Sequence, residues 1–272
     1  MLGDPIAHSL SPVLHRAGYA ALGLDAWRYD AVRVPEDGLA AFLGSLDADQ
    51  EWRGLSLTMP LKREVVRLLG LERASDRVAL TGAANTVVLD ADGPRLDNTD
   101  LPGAAAAVRE RHDGPVGSVC VLGAGATAAS AALAACDLGA RSVRLLARDA
   151  GRAATTAEAV RRHPSRPTVE VGDLATAAVT GDLLVSTLPV VAQVPDLLAR
   201  CVGVPVVLEV VYDPWPTPLA AQASDTGRVL VSGLDLLAHQ AVLQLALFTG
   251  HDVPVEVLRA AGAAELVARA DG

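Results

Sequence analysis

Residues 118–139 read SVCVLGAGATAASAALAACDLG, an apolar run, a glycine turn and an alanine-rich helical stretch in that order. The run is short and valine-containing, as a strand buried on both faces of a parallel sheet should be. The turn GAGATA fits G-x-G-x-x-A through Gly123, Gly125 and Ala128. In that pattern the first glycine permits a tight turn, the second lets backbone approach a pyrophosphate, and the small third residue lets helix and strand pack closely. Strand, turn and helix outline a mononucleotide-binding unit, with Gly123, Ala124, Gly125 and Ala126 as candidate cofactor contacts. A merely tight βα turn is the alternative reading.

Toward the C-terminus, the segments SVRLLAR (142–148), TVEVG (168–172), DLLVST (182–187), VPVVLEVV (204–211) and RVLVS (228–232) are strand-like. Helical or loop stretches separate them, the alternation expected of a parallel sheet. The first of these strands runs into ARDAGR, where an acidic side chain would select the ribose hydroxyl of NAD and an arginine the 2′-phosphate of NADP. Arg148 and Arg152, one helical turn apart, could clamp one phosphate between them. Asp149 reads as the N-cap of a helix beginning near Ala150, so the expected cofactor is NADP.

Toward the N-terminus, HSLSPVLHRAGYAAL predicts a helix over 12–22 with Ser11 as N-cap and Pro12 first. WRYDAVRV (27–34) alternates as a strand, and a polar helix candidate follows to about residue 46. GLSLT (54–58) predicts a short strand running into the helix PLKREVVRLLG, whose Leu61, Val65, Leu68 and Leu69 share a face. ANTVVLD and PRLDN flank the turn ADG and predict a hairpin. After residue 233 two helical stretches follow without a strand, and they are expected to fold back toward the first domain. The fold class is therefore α/β with two domains: a mixed α/β domain from 1–101 rejoined by 234–272, and a Rossmann-type domain from 102–233.

The 272 residues are 51% hydrophobic, 20% charged and 3% aromatic, with a net charge of −9. That charge argues against nucleic acid or an anionic membrane as the main partner and favours a small-molecule function. Cys120, Cys136 and Cys201 lie in apolar runs without metal-type spacing and read as core, so no metal is expected. No stretch approaches a membrane span, and the start MLGDPIAHS lacks a signal-peptide pattern, so a cytoplasmic location is expected.

The polar residues of the first domain carry the chemistry. Ser9 and Ser11 flank a helix N-terminus, which is a carboxylate site as well as a capped end. Ser11 has a capping duty open to it; Ser9 has none visible. His8 and His15 read as solvated or packed. Lys62 falls in the opening turn of a helix, where the macrodipole disfavours a cation. Asn85-Thr86 and Asn98-Thr99-Asp100 are polar bursts beside strands, and Asp100 near Lys62 would make an amine–carboxylate pair able to pass a proton.

In this order and spacing, GDPIAHSLSP, SLTMPLK, GAANT, DNTDLPG, GAGATA, VYDPWPTPL and GLDLLAHQA resemble the shikimate dehydrogenase family, in its actinobacterial branch, over nearly the whole chain. The resemblance implies NADP(H)-dependent interconversion of 3-dehydroshikimate and shikimate, in the pathway to chorismate and the aromatic amino acids. It implies that Ser9 and Ser11 bind the substrate carboxylate. Thr58, Asn85, Asp100 and Gln240 contact ring hydroxyls, and Tyr212 completes the pocket. Lys62 matches the catalytic lysine and Asp100 its partner, with the helix start favouring some loss of charge on the amine. Asp76, Val210 and Gly233 match positions near the nicotinamide. The domain formed by 1–101 and 234–272 would hold the substrate, around an inserted NADP-binding domain.

Against the family pattern, Ser56 stands where asparagine is usual and Ala126 where glycine is, and ARD replaces Asn-Arg-Thr. Met1-Leu2 leave the first strand a stub, and a natural start upstream is expected. An NAD-preferring quinate/shikimate dehydrogenase or an aminoshikimate-pathway relative is the alternative within the class. A non-catalytic dinucleotide sensor is the alternative outside it, opposed by the presence together of Lys62, Asp100, Ser9, Ser11 and Asn85. The expected partner is a small-molecule substrate, with no nucleic acid and no membrane, in a monomer or homodimer.

Overall fold

The computed structural model describes residues 1–46 and 52–271. It divides into one unit of Met1–Thr99 with Leu237–Gly272 and a second of Asp100–Leu236. These boundaries fall two residues before and three after those expected, the second inside a helix.

The first unit opens with β1 (Leu2–Gly3), α1 (Ser11–Ala21), β2 (Val32–Arg33) and α2 (Leu39–Gly44). It continues through β3 (Gly54–Ser56), α3 (Leu61–Leu69), α4 (Asp76–Thr81), β4 (Thr86–Asp90) and β5 (Gly93–Asp97). β1 and β2 pair in parallel, and β3, β4 and β5 form an antiparallel sheet joined to β1 by a Leu2–Leu57 bridge. The expected mixed sheet is thus two small sheets touching at one bridge. β2 is shorter than the 27–34 stretch suggested because it pairs only with Leu2 and Gly3, and an alternating pattern becomes a ladder only where a neighbour supplies hydrogen bonds.

Leu61 and Val65 of α3 are fully buried beside Leu2, Leu55 and Val87, while Leu68 and Leu69 pack at the edge of that cluster. Charge on the other face keeps this short helix amphipathic, so packing rather than propensity holds it.

The second unit contains α5 (Asp100–Arg111), β6 (Ser118–Leu122), α6 (Ala126–Asp137), β7 (Ser142–Ala147), α7 (Ala150–Arg161) and β8 (Thr168–Asp173). β9 (Leu183–Ser186), α8 (Pro195–Cys201), β10 (Val206–Glu209), α9 (Pro218–Asp225) and β11 (Val229–Val231) complete it. All six strands are parallel, in the spatial order β8, β7, β6, β9, β10, β11. That is the doubly wound order of a dinucleotide-binding sheet, and its strand order reverses at β6, the strand that feeds GAGATA. Cys120 and Cys201 sit in its core, and Cys136 is buried in α6.

α5 begins at Asp100, earlier than the alanine run suggests. An acidic residue and Pro102 in a first turn suit a helix N-terminus. The last two helices are α10 (Gly233–Thr249) and α11 (Val255–Asp271). From Leu237 onward they belong to the first unit, where α11 packs along α1. Among the described residues no helix is long and apolar enough to cross a membrane.

Candidate active site

In the first unit, α1 starts at Ser11 itself, and Leu10 occupies the N-cap position without a side-chain bond. The capping expectation for Ser11 is therefore corrected: its hydroxyl makes no cap bond. Ser9, for which the sequence offered no structural duty, has one, because its hydroxyl accepts the Ser11 N–H at 3.2 Å. A hydroxyl two residues back can bond a helix's first N–H as readily as a formal N-cap can.

Thr58 follows β3. Its N–H donates to the Leu2 carbonyl and its own carbonyl accepts from Leu61 N–H, both at 2.9 Å. Lys62 is the second residue of α3 and half-buried. Its carbonyl accepts from Ala84 N–H at 2.8 Å, which brings the start of α3 against the residue preceding Asn85.

Asn85 is buried at the centre of a hydrogen-bond network. Its Nδ2 donates to the Thr99 hydroxyl at 2.8 Å and to Gln240 Oε1 at 3.2 Å. Its Oδ1 accepts from the Thr86 hydroxyl at 2.8 Å and from Thr99 N–H at 2.9 Å. Gln244, one helical turn beyond Gln240, donates to the Asn85 carbonyl at 3.0 Å and to the Thr86 hydroxyl at 2.9 Å. It also accepts from the Ser56 hydroxyl at 3.0 Å.

Ser56 is thereby met by a long side chain from α10. Thr99 belongs to one of the polar bursts named from the sequence, whereas Gln244 is not among the residues the sequence pointed to. The available signal was the spacing of Gln240 and Gln244, which puts two amides on one helical face. Asp76, in the first turn of α4, is exposed. A cavity of about 530 Å³ in this unit is lined by Tyr19, Trp27, Tyr29, Ser56 and Phe248 among others; Ser9, Ser11, Thr58, Lys62, Asn85 and Gln240 are not among its lining residues.

In the second unit, Gly123 has φ +114°, a conformation that favours glycine. Its N–H donates to the Leu146 carbonyl at 2.8 Å. A Cβ at Gly125 would meet open space, so the backbone there can be approached by a ligand. α6 starts at Ala126 with no side-chain cap and no acidic residue in its first turn, leaving N–H groups and the positive end of the dipole for a phosphate. Thr156 on α7 donates to the Ala124 carbonyl at 2.9 Å and fixes the turn. These features fit a dinucleotide.

Asp149 caps α7, accepting Arg152 N–H at 2.9 Å, while Arg148 and Arg152 are exposed. Val210 leaves the end of β10, and Tyr212 lies half-buried in the loop that follows. A Cβ at Gly233 would collide with the Val210 backbone, so glycine there permits close approach of the two segments. Asp100 is buried at the start of α5. Among the described residues no group of three His, Cys, Asp or Glu could hold a metal.

Comparison with known proteins matches residues 1–87 to a family model described as the shikimate dehydrogenase substrate binding domain, and 233–261 to the shikimate 5′-dehydrogenase C-terminal domain. The shikimate dehydrogenase (NADP(+)) of Halorubrum lacusprofundi is 34% identical, the match covering 98% of each chain. That of Rubrobacter xylanophilus is 35% identical over 96% of this chain and 93% of its own. The crystal structure of Mycobacterium tuberculosis shikimate dehydrogenase superposes with a TM-score of 0.85 at 38% identity, covering 97% of each chain. Identity at this level along the whole length makes the chain a member of the shikimate dehydrogenase family.

Proposed function

We propose that the chain interconverts 3-dehydroshikimate and shikimate with NADP(H), on the route to chorismate and the aromatic amino acids. The observation that carries this reading is the presence in one chain of two sets: hydroxyls, amides and Lys62 in the first unit, and a glycine turn at the switch point of a doubly wound sheet in the second. Bound NADP(H) supplies or accepts the hydride.

Ser9 and Ser11, at the start of α1, hold the substrate carboxylate, and Thr58, Asn85 and Gln240 meet its ring hydroxyls. The bonds to Thr86, Thr99 and Gln240 use both N–H groups and both acceptor positions of the Asn85 amide, so a ring hydroxyl takes the place of one of these partners. Lys62 gives or takes the proton on the carbonyl oxygen, Asp100 orients it, and Tyr212 completes the pocket. Gly123, Ala124, Gly125 and Ala126 receive the pyrophosphate, Arg148 and Arg152 the 2′-phosphate, and Asp76, Val210 and Gly233 the nicotinamide end. Asp149 is engaged as a helix cap, which supports NADP over NAD.

Steady-state rates with shikimate and quinate, each with NADP and NAD, test the reading. Turnover is expected to be fastest with shikimate and NADP, and faster turnover with quinate and NAD would overturn it. Lys62→Ala is expected to lower kcat by about 10³-fold while NADP binding persists; near-normal kcat would remove Lys62 from the role.

A further inference from the structure

Glu209 ends β10 and is fully buried. Its Oε1 accepts Val211 N–H at 3.1 Å, and its Oε2 accepts the Gln193 amide at 2.7 Å and the Thr217 hydroxyl at 3.2 Å. Val211 and Thr217 stand at the two ends of the loop that carries Tyr212, so one side chain grips both.

The partners are committed in one direction. The Gln193 carbonyl oxygen accepts Leu219 N–H at 3.0 Å, and the Thr217 hydroxyl oxygen accepts Ala220 N–H at 3.1 Å as the cap of α9. Val211, Gln193 and Thr217 all donate to Glu209, so the position calls for acceptors at both oxygens, and an amide would set a donor against a donor. A buried carboxylate carries a desolvation penalty that a passive apolar brace would not.

We propose that Glu209 is a positioning residue for the reaction, gripping the Val210–Thr217 loop at both ends so that Val210 and Tyr212 keep their places toward nicotinamide and substrate. The proposal rests on the function proposed above.

Burial pushes the Glu209 carboxyl up to about 7, while its hydrogen bonds favour the charged form. Ser186, its partner across the β9–β10 ladder, also favours the charge, although its buried hydroxyl lies outside hydrogen-bond geometry. Of the titratable groups around it, the Cys201 thiol on α8 is pushed up to about 11, chiefly by burial, and stays neutral. Asp213 is in the loop itself. A proton on Oε1 weakens its acceptance of the Val211 N–H and so loosens the grip there. The loop therefore loosens as pH falls through about 7, and Glu209→Gln holds it loosened at every pH.

The test compares wild type and Glu209→Gln for kcat and KM between about pH 6 and about pH 8. Expected at the upper pH is a KM for shikimate about tenfold higher in the variant, with a smaller change in kcat. The wild-type advantage should shrink toward unity at the lower pH. A folded variant with unchanged kinetics, or a pH-independent advantage, would overturn the proposal. Should Glu209→Gln not fold, Glu209→Asp, which keeps the charge but withdraws it by one methylene, takes its place; normal KM in that variant counts against the idea.

Amide exchange across 210–217, compared between wild type and variant at each pH, is independent of turnover. Faster exchange in the variant at the upper pH alone supports the grip even if shikimate proves not to be the substrate, and equal exchange at both pH values refutes it.

Discussion

His15 is a buried imidazole stacked on Tyr29, with ring centroids 4.0 Å apart and planes 18° from parallel. Its Nδ1 lies 2.9 Å from the Ser11 carbonyl, which assigns the proton to that nitrogen in the neutral ring. Burial lowers its pKa to about 4, against the Ser11 bond, which favours the cation. An unfolded histidine takes up its proton near the ordinary value, about 6.5, so the unfolded state binds the proton first as pH falls. The stabilisation is present above about 6.5 and is lost as pH drops toward 4, by roughly 3 kcal/mol at most. His15→Phe, which keeps the stack, should therefore gain on wild type in urea unfolding as pH is lowered through that window. Parallel stability curves would show the imidazole to be more hydrated than its burial implies. Sequence could offer only that His8 and His15 were packed or solvated; His15 is packed and His8 exposed, because burial depends on which elements cover a helix face.

At the scale of the element, α7 shows how a residue readable in two ways is assigned by its neighbours. Asp149 could have served a ribose hydroxyl or a helix start, and its carboxylate bonds Arg152 N–H. Asp149→Ala should cost about 1 kcal/mol of stability without raising the preference for NADP over NAD, both read on one preparation by thermal unfolding and cofactor titration. A marked rise in that preference would return Asp149 to the cofactor site, since a carboxylate there favours the ribose hydroxyl of NAD and repels a 2′-phosphate. The glycine turn and the hairpin of β4 and β5 were legible because their signals are local. β2 and the start of α5 were not, since one depends on a pairing partner and the other on a first turn that reads equally well as a loop.

For the whole molecule, cofactor binding is linked to stability. NADP at about one hundred times its Kd should raise the unfolding free energy by about 2.7 kcal/mol. Replacing exposed Arg148 and Arg152 together by alanine should bring that gain down to the value seen with NAD, leaving the ligand-free midpoint almost unchanged. An unaltered difference between the two cofactors would place the 2′-phosphate elsewhere.

The residues alone determined the parallel sheet, the phosphate-type turn and the candidate polar residues, because apolar period, glycine spacing and residue chemistry are properties of a few neighbours in the chain. Only the tertiary structure decided that Ser9 rather than Ser11 bonds the helix start, that Gln244 completes the network around Asn85, and that Glu209 grips both ends of one loop. Each of these hydrogen bonds depends on donors and acceptors whose approach is fixed by packing.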